Sequence, residues 1–127
     1  MIDDNGLKER VDLLGLLPND EIGEVLQKSH IFFCPSLSEA FCIAILEAAF
    51  AGCLVVANST GGIPEVLPPD IAILSKPTVD DLVNSISLAL EKLPDHNGEK
   101  NHERLKEIYS WRKVAVQTEE VLSLIHI

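Results

Sequence analysis

Basic residues are scarce in this chain: 10 Lys and Arg stand against 20 Asp and Glu, and the formal net charge is −10. Nucleic-acid binding depends on clustered Lys and Arg, so this balance argues against a nucleic-acid partner. The same deficit leaves no obvious cationic surface for anionic lipid. No stretch reaches the roughly 18 consecutive apolar residues of a membrane-spanning helix, and the charged start is unlike a signal peptide. Any membrane association is therefore expected to come from another segment or from a partner.

Cysteine is rare as well, with three residues, Cys34, Cys42 and Cys53, all in apolar segments. An odd number of cysteines without paired spacing fits a reducing compartment and simple packing. No Cys-x-x-Cys or His-Glu-x-x-His pattern indicates a metal site. The Gly-x-Ser-x-Gly setting of an acyl-transfer nucleophile is missing too. The sequence therefore predicts neither a metal centre nor a serine hydrolase.

The most informative stretch runs from residue 29 to residue 68 and predicts a βαβ unit. Residues 30–35 read as a continuous apolar strand, residues 40–52 as a helix and residues 54–58 as a second apolar strand. A strand, a crossover helix and a second strand place the two strands parallel. The loop of residues 36–39 then lies at the carboxyl end of the first strand and the amino end of the helix. Ligands of open α/β sheets bind there, and helix N–H groups attract phosphate.

Two glutamates mark this unit, Glu39 and Glu47. Glu47 is the only polar side chain between residues 40 and 53, and in a buried apolar helix its carboxylate needs a partner. On one helix the two glutamates would be about 12 Å apart along the axis. That span suits a ligand with a phosphate near the helix start and a polyol on either side, such as a nucleotide-sugar. Two structural alternatives stay open: Ser36 and Glu39 also fit a capping box, and Glu47 could pair with Lys or Arg of a neighbouring element.

The stretch EAFCIAILE of residues 39–47, followed by the turn GGIPE of residues 61–65, resembles the signature of retaining GT-B glycosyltransferases. That family carries two glutamates with seven residues between them and then a Gly-Gly-x-Pro-Glu turn. Most members have Gly at the positions of Ala40 and Cys42. The Ala-Phe-Cys variant is similar to one branch in particular. That branch comprises the catalytic subunits that transfer N-acetylglucosamine to phosphatidylinositol, the first step of glycosylphosphatidylinositol anchor synthesis.

The resemblance runs from about residue 10 to residue 121 and covers only part of the family's length. It implies an α/β fold with a partial Rossmann-like parallel sheet flanked by helices, the second domain of a GT-B enzyme. Residues 1–127 are accordingly expected to be an incomplete C-terminal nucleotide-sugar-binding domain, with the acceptor domain absent. The alternation of strands and helices favours a parallel sheet with helices on both faces. Strands are predicted at residues 11–16, 30–35, 54–58 and 71–74.

The resemblance also implies roles for individual residues. Glu39, the catalytic candidate, would bind hydroxyls of the donor sugar, and Glu47 would hold the ribose hydroxyls. Backbone N–H groups for the sugar and diphosphate would come from Ala40, Phe41 and Cys42. The surface beside uracil would come from Leu16 and Leu17. No metal or other cofactor is expected. The Arg and Lys pair that family members place on the diphosphate would lie upstream of Met1, so the chain alone is expected to be inactive.

The partners implied by the resemblance are UDP-N-acetylglucosamine, phosphatidylinositol and the other subunits of a membrane transferase complex. The expected location is the cytoplasmic face of the endoplasmic reticulum membrane. Two alternatives remain: another retaining GT-B enzyme with a different donor or acceptor, and a non-catalytic truncated module that binds partner subunits. His30, His96 and His102 have no partner spacing that indicates catalysis, and Trp111 is expected to anchor the last helix by packing.

Overall fold

A parallel three-stranded sheet forms the centre of the computed structural model, which describes residues 1–125. Its strands are β1 (Ile31–Cys34), β2 (Leu54–Asn58) and β3 (Ala72–Ser75). They lie in the order β1-β2-β3, and both pairs are parallel. The predicted α/β class and the parallel pairing of the strands at 30–35 and 54–58 are therefore confirmed.

Six α-helices accompany these strands within residues 1–125. The helix that follows β3 is capped at its start, because the hydroxyl oxygen of Thr78 accepts a hydrogen bond from the backbone N–H of Asp81. None of the helices in this part of the chain is both long and apolar enough to cross a bilayer. Their bounds are α1 (Asn19–Lys28), α2 (Ile43–Phe50), α3 (Ile63–Val66), α4 (Val79–Lys92), α5 (Gly98–Ile108) and α6 (Trp111–Ile125).

The predicted strand at residues 11–16 does not form. The segment is irregular and lies outside the sheet, with Gly15 at a φ of 68° and Leu16 99% exposed. A strand is stable only where a neighbour pairs with its N–H and C=O groups, and this segment pairs with neither β1 nor β3. The prediction is wrong because an apolar pattern does not reveal whether a pairing partner is within reach.

The core is divided into two unequal layers by the alternation of side chains along β2. Val55 belongs to a large cluster on the α2 side, where Ile45 and Leu105 are also fully buried. Val56 belongs to a small cluster on the other side, with Ala89 of α4. Fully burying an aliphatic side chain contributes about 1.5–3 kcal/mol. Most of the apolar stabilisation therefore lies on the α2 side of the sheet.

The end of the chain is attached through Tyr109 rather than through Trp111. Trp111 is 89% exposed, so the expectation that it anchors the last helix by packing is wrong. The hydroxyl of Tyr109 donates a hydrogen bond to the carbonyl oxygen of Val66, and partial burial raises the pKa of Tyr109. This contact fastens the carboxyl end of α5 to α3, whereas every residue of α6 is exposed.

Two histidine side chains satisfy carbonyl groups where α2 ends. Nδ1 of His102 is 2.6 Å from the carbonyl oxygen of Phe50, and Nε2 of His96 is 2.9 Å from that of Gly52. Because a carbonyl only accepts, each of these nitrogens carries the proton. The rings of His102 and Phe50 also meet edge to face, with centroids 5.6 Å apart. These histidines therefore fix α5 and the turn before it to α2.

We expect His102→Ala to lower the free energy of unfolding by about 1–3 kcal/mol, through the lost hydrogen bond and the lost aromatic contact. Urea unfolding followed by circular dichroism measures this loss. His30→Ala is the matched control, because His30 is exposed and its side chain makes no hydrogen bond within residues 1–125. Its effect should stay within about 0.5 kcal/mol. Equal losses in the two variants would contradict the capping role of His102.

Candidate functional site

The loop that follows β1, residues 35–42, is held in place by polar side chains at the end of β2. Nδ2 of the fully buried Asn58 donates hydrogen bonds to the carbonyl oxygens of Pro35 at 2.9 Å and Ser36 at 3.1 Å. The hydroxyl of Thr60 donates to the same Ser36 oxygen at 3.1 Å. Neither Asn58 nor Thr60 was predicted to take part in the site. The sequence feature that could have indicated this role is Asn58 itself, an amide side chain at the end of a strand that is otherwise apolar.

Gly61 and Gly62 allow the turn after β2 to lie directly against the loop that carries Glu39. The N–H of Gly62 donates to the carbonyl oxygen of Glu39 at 3.2 Å. A Cβ atom on Gly61 would stand 1.9 Å from that same oxygen, and one on Gly62 would stand 1.9 Å from the carbonyl oxygen of Ala40. No side chain fits at such distances. The two motifs found in the sequence therefore form a single site.

Helix α2 begins later than predicted because of the backbone at Cys42. This residue has φ 60° and ψ 69°, and it is the one non-glycine residue with positive φ within residues 1–125. A left-handed residue does not continue a right-handed helix, so the helix starts at Ile43 instead of residue 40. Glu39 lies ahead of the first turn, and the first turn has no side-chain cap. The capping box of Ser36 and Glu39 is therefore not formed.

The resulting loop presents unpaired hydrogen-bond donors. The backbone N–H groups of Ala40, Phe41 and Cys42 have no acceptor within residues 1–125. They are joined by the first two N–H groups of α2, which have no partner inside the helix. The half-buried Glu39 stands beside them. Unpaired N–H groups at the start of a helix suit an anionic ligand.

Glu47 is exposed on α2, so the expectation of a buried carboxylate is wrong. It lines a cleft of about 470 Å³ between α1 and α2, together with Asn19 and Gln27 of α1. No Lys or Arg of residues 1–125 forms an ion pair with Glu47. Across this cleft, α1 covers the face of α2 that carries Glu47 only in part, although the sequence of α2 is apolar. Because Glu39 lies off the helix, the predicted axial separation of the two glutamates does not apply.

Leu16 and Leu17, predicted to lie beside uracil, immediately precede α1. Leu17 is half-buried and Leu16 is almost fully exposed, and neither lines the cleft that holds Glu47. Asn19, two residues further on, does line it. The structure therefore brings this segment to the start of the helix that forms one wall of the cleft, without packing either leucine into it.

Cys34, Glu39 and Cys42 come together, although their spacing in the sequence indicated no metal site. The two Sγ atoms are 3.8 Å apart, and these sulfurs and a Glu39 carboxylate oxygen all lie within 4.8 Å of one another. Cys34 is buried, and Cys42 is half-buried. Burial, followed by the neighbouring Cys34 thiol, raises the pKa of Cys42 to about 11, so Cys42 is a neutral thiol at neutral pH. Sequence reasoning missed this cluster because only the reversal of the chain at Cys42 returns its sulfur to Cys34.

Comparison with known proteins decides the family. The family described as "Glycosyl transferases group 1" matches residues 1–109. The chain belongs to the group 1 glycosyl transferases. A phosphatidylinositol N-acetylglucosaminyltransferase subunit from Arabidopsis thaliana is 48% identical over 121 residues, which cover 95% of this chain and 27% of that protein. The protein of the same name from Homo sapiens is 44% identical over 118 residues, with coverages of 91% and 24%.

The fold of this group 1 glycosyl transferase chain is shared with a solved structure. Sucrose-phosphate synthase from Thermosynechococcus elongatus matches with a TM-score of 0.82 and 22% identity, over 98% of this chain and 32% of that one. The predicted GT-B, Rossmann-like class is confirmed, and so is the resemblance to the phosphatidylinositol N-acetylglucosaminyltransferase branch. The chain spans about a quarter of the length of the curated relatives it matches.

Proposed function

We propose that this chain is the donor-binding part of a phosphatidylinositol N-acetylglucosaminyltransferase. In that role it binds UDP-N-acetylglucosamine for transfer of the sugar to phosphatidylinositol, with retention of anomeric configuration. The names of the relatives at 48% and 44% identity support the choice of donor and acceptor. The observation that carries the site assignment is the contact of Gly61 and Gly62 with the Glu39 loop. That contact fixes a carboxylate and a set of unpaired N–H groups side by side.

The chemistry follows from where charge develops. As the bond from sugar to UDP breaks, negative charge grows on the diphosphate, and N–H donors already fixed in place stabilise it without reorganisation. The N–H groups of Ala40, Phe41 and Cys42 have this role in the proposal. Positive charge grows on the sugar ring in an oxocarbenium-like transition state. The carboxylate of Glu39 accepts hydrogen bonds from sugar hydroxyls. In the proposal it lies near the sugar ring, where its negative charge favours the positive charge of the transition state. The proposal requires no metal ion in the transfer step.

Glu47 binds the other end of the donor in this proposal. An exposed carboxylate has two oxygens free to accept hydrogen bonds, and a ribose offers two neighbouring hydroxyls. The cleft of about 470 Å³ that Glu47 lines lies within the usual range of small-molecule sites. Leu16 and Leu17, at the start of α1, would supply the apolar surface beside uracil.

We also propose that the chain forms an incomplete C-terminal donor domain and is inactive alone. The relatives are about four times as long as the part they share with it, which supports this proposal. In the complete enzyme, the remaining chain supplies the acceptor domain and the Arg and Lys pair for the diphosphate. Contacts with other subunits at the cytoplasmic face of the endoplasmic reticulum membrane complete the proposed assembly.

The test is a chimera in which this chain replaces the matching 121 residues of the Arabidopsis relative. Glu47→Gln is expected to weaken UDP binding by about 1–3 kcal/mol, because a neutral amide accepts ribose hydroxyls less strongly than a carboxylate. Glu39→Gln is expected to leave UDP binding nearly intact and to reduce transfer to phosphatidylinositol, because Glu39 contacts the sugar and not the nucleotide. Calorimetric titration with UDP and a transfer assay with labelled UDP-N-acetylglucosamine measure the two effects.

Melting curves of the same variants provide the control for folding. If both variants bind both ligands like the parent and merely melt at lower temperature, the two glutamates are structural and the site assignment is wrong. Competition with other UDP-sugars tests the alternative of a different donor. A chimera that prefers another sugar would keep the transferase class and overturn the assignment of N-acetylglucosamine.

A further inference from the structure

The cluster of Cys34, Glu39 and Cys42 contains more ligand chemistry than the proposed transfer reaction uses. Two sulfurs and a carboxylate oxygen converge from the last residue of β1 and from the loop that follows it. The thiol of Cys34 also contacts the hydroxyl of Ser36 at 3.5 Å. The third cysteine, Cys53, lies apart from them and donates instead to the carbonyl oxygen of Leu26 at 3.2 Å.

The spacing of the two sulfurs matches the coordination of zinc. Two thiolates bound to one tetrahedral zinc ion, each at about 2.3 Å, stand about 3.8 Å apart. The Sγ atoms of Cys34 and Cys42 are 3.8 Å apart as they stand. A disulfide bond instead requires about 2.05 Å between sulfurs, so a metal ion fits with much less movement of the loop. A carboxylate is an accepted third ligand of zinc, and water fills the open fourth position.

We infer that Cys34, Cys42 and Glu39 form a binding site for zinc(II) between the end of β1 and the loop of residues 35–42. Glu39 and Cys42 are half-buried, so an ion can enter from solvent while Cys34 forms the floor of the site. Binding forms two zinc–thiolate bonds and releases the two thiol protons to solvent. The ion is not part of the transfer reaction. Bound zinc withdraws the carboxylate of Glu39 from the sugar, so it acts as an inhibitor; this consequence rests on the proposed function, whereas the site itself does not.

Cobalt(II) titration of the reduced full chain tests the site directly. We expect one equivalent of cobalt to produce thiolate-to-cobalt charge-transfer absorption in the near ultraviolet and the visible bands of tetrahedral cobalt, and zinc to abolish both. Cys34→Ser and Cys42→Ser should each weaken binding at least tenfold. Cys53→Ser should bind like the parent and is the matched control. A phosphine reductant throughout excludes disulfide formation as a cause of lost binding.

Glu39→Gln provides a second test of the site that does not depend on the folding of the cysteine variants, because it leaves both thiols in place. It should keep the charge-transfer absorption and weaken cobalt binding at least tenfold. Far-ultraviolet circular dichroism of each variant confirms that the fold is retained. An unchanged titration of Cys34→Ser, or no thiolate absorption at one equivalent of cobalt in the parent, would overturn the metal site.

The chimera tests the inhibitory consequence separately. Micromolar zinc should inhibit transfer by the parent, and Cys34→Ser should retain basal transfer while requiring at least tenfold more zinc for the same inhibition. Cys34 is suited to this comparison because none of its own groups binds the donor in the proposal, and serine keeps a small polar side chain beside Cys42. Equal inhibition of the two proteins would overturn the regulatory role. A chimera without any transfer would overturn the proposed function, and the cobalt titration would still decide the metal site.

Discussion

Gly62→Ala is expected to lower the free energy of unfolding by about 3 kcal/mol or more, the upper end of what overpacking does. The added Cβ would stand 1.9 Å from the carbonyl oxygen of Ala40 and 3.1 Å from its carbonyl carbon. Both are backbone atoms, so no side chain can move aside to make room. Either the Glu39 loop or the turn after β2 has to shift. The shift also breaks the hydrogen bond from the Gly62 N–H to Glu39.

Urea unfolding of this variant should be compared with that of Gly23→Ala. Gly23 lies within α1, has no atom within 4 Å of the position a Cβ would take, and does not have positive φ. Alanine there should stabilise the chain by about 1 kcal/mol, because it is the better helix former. The two identical chemical changes are thus expected to have opposite signs. A small loss at Gly62, similar in size to a surface substitution, would show that the two motifs are not in rigid contact.

Asn58→Asp is expected to be the second severe substitution, with a loss of about 3–5 kcal/mol at neutral pH. The amide nitrogen of Asn58 donates to the carbonyl oxygens of Pro35 and Ser36, and its Oδ1 is buried without a partner within residues 1–125. All the stabilisation from this amide therefore comes through the nitrogen. A carboxylate in its place would direct an acceptor at two acceptors in a buried site.

The sign of the pH dependence distinguishes this mechanism from simple loss of a contact. Burial and two facing carbonyl oxygens raise the pKa of the new carboxyl group in the folded state above its unfolded value of about 3.9. The folded state then binds the proton more tightly, so the ionisation penalty is absent below pH of about 3.9 and grows as the pH rises. Relative to the parent at the same pH, Asn58→Asp should therefore recover stability in acid.

Asn58→Ala is the control for this prediction, because it removes the donor without adding a charge. It should lose about 2–3 kcal/mol, and that loss should be the same at pH 4 and pH 7. Chemical unfolding of the parent and both variants at the two pH values measures these differences. A penalty for Asn58→Asp that does not change with pH would contradict the interpretation that a buried charge causes it.

The elements predicted correctly from the sequence are those whose signal is local. β2 is a run of apolar residues ending at Asn58, buried at every position, and the β1–α2–β2 order alone dictates parallel pairing. The Gly61–Gly62 turn was also recognisable, because consecutive glycines mark a close backbone approach. What the sequence did not show was that the approach is to the Glu39 loop, a contact across about 20 residues of chain.

The wrong predictions concern the contacts that an element makes with the rest of the fold. Residues 11–16 have the pattern of a strand but pair with no neighbouring strand, and Glu47 lies on an apolar helix whose outer face is only partly covered. Nothing in this sequence marks the left-handed conformation of Cys42, apart from the expectation that most members of the resembled family have glycine at this position. The cluster with Cys34 depends on that single φ value, so it could not be predicted from spacing. Whether a side chain is buried, and which side chains it meets, depends on how the elements pack against each other. The periodicity of the sequence does not specify that packing.

The exposed helix α6 bears on the fate of this chain in a cell. Its 15 residues are all exposed, and its apolar side chains, including Val121, Leu122 and Leu124, lie open to solvent. Chaperones and proteases recognise such uncovered apolar surface as a sign of unfinished folding. The lifetime of the chain would therefore be set by how soon another surface covers α6, however stable the sheet is.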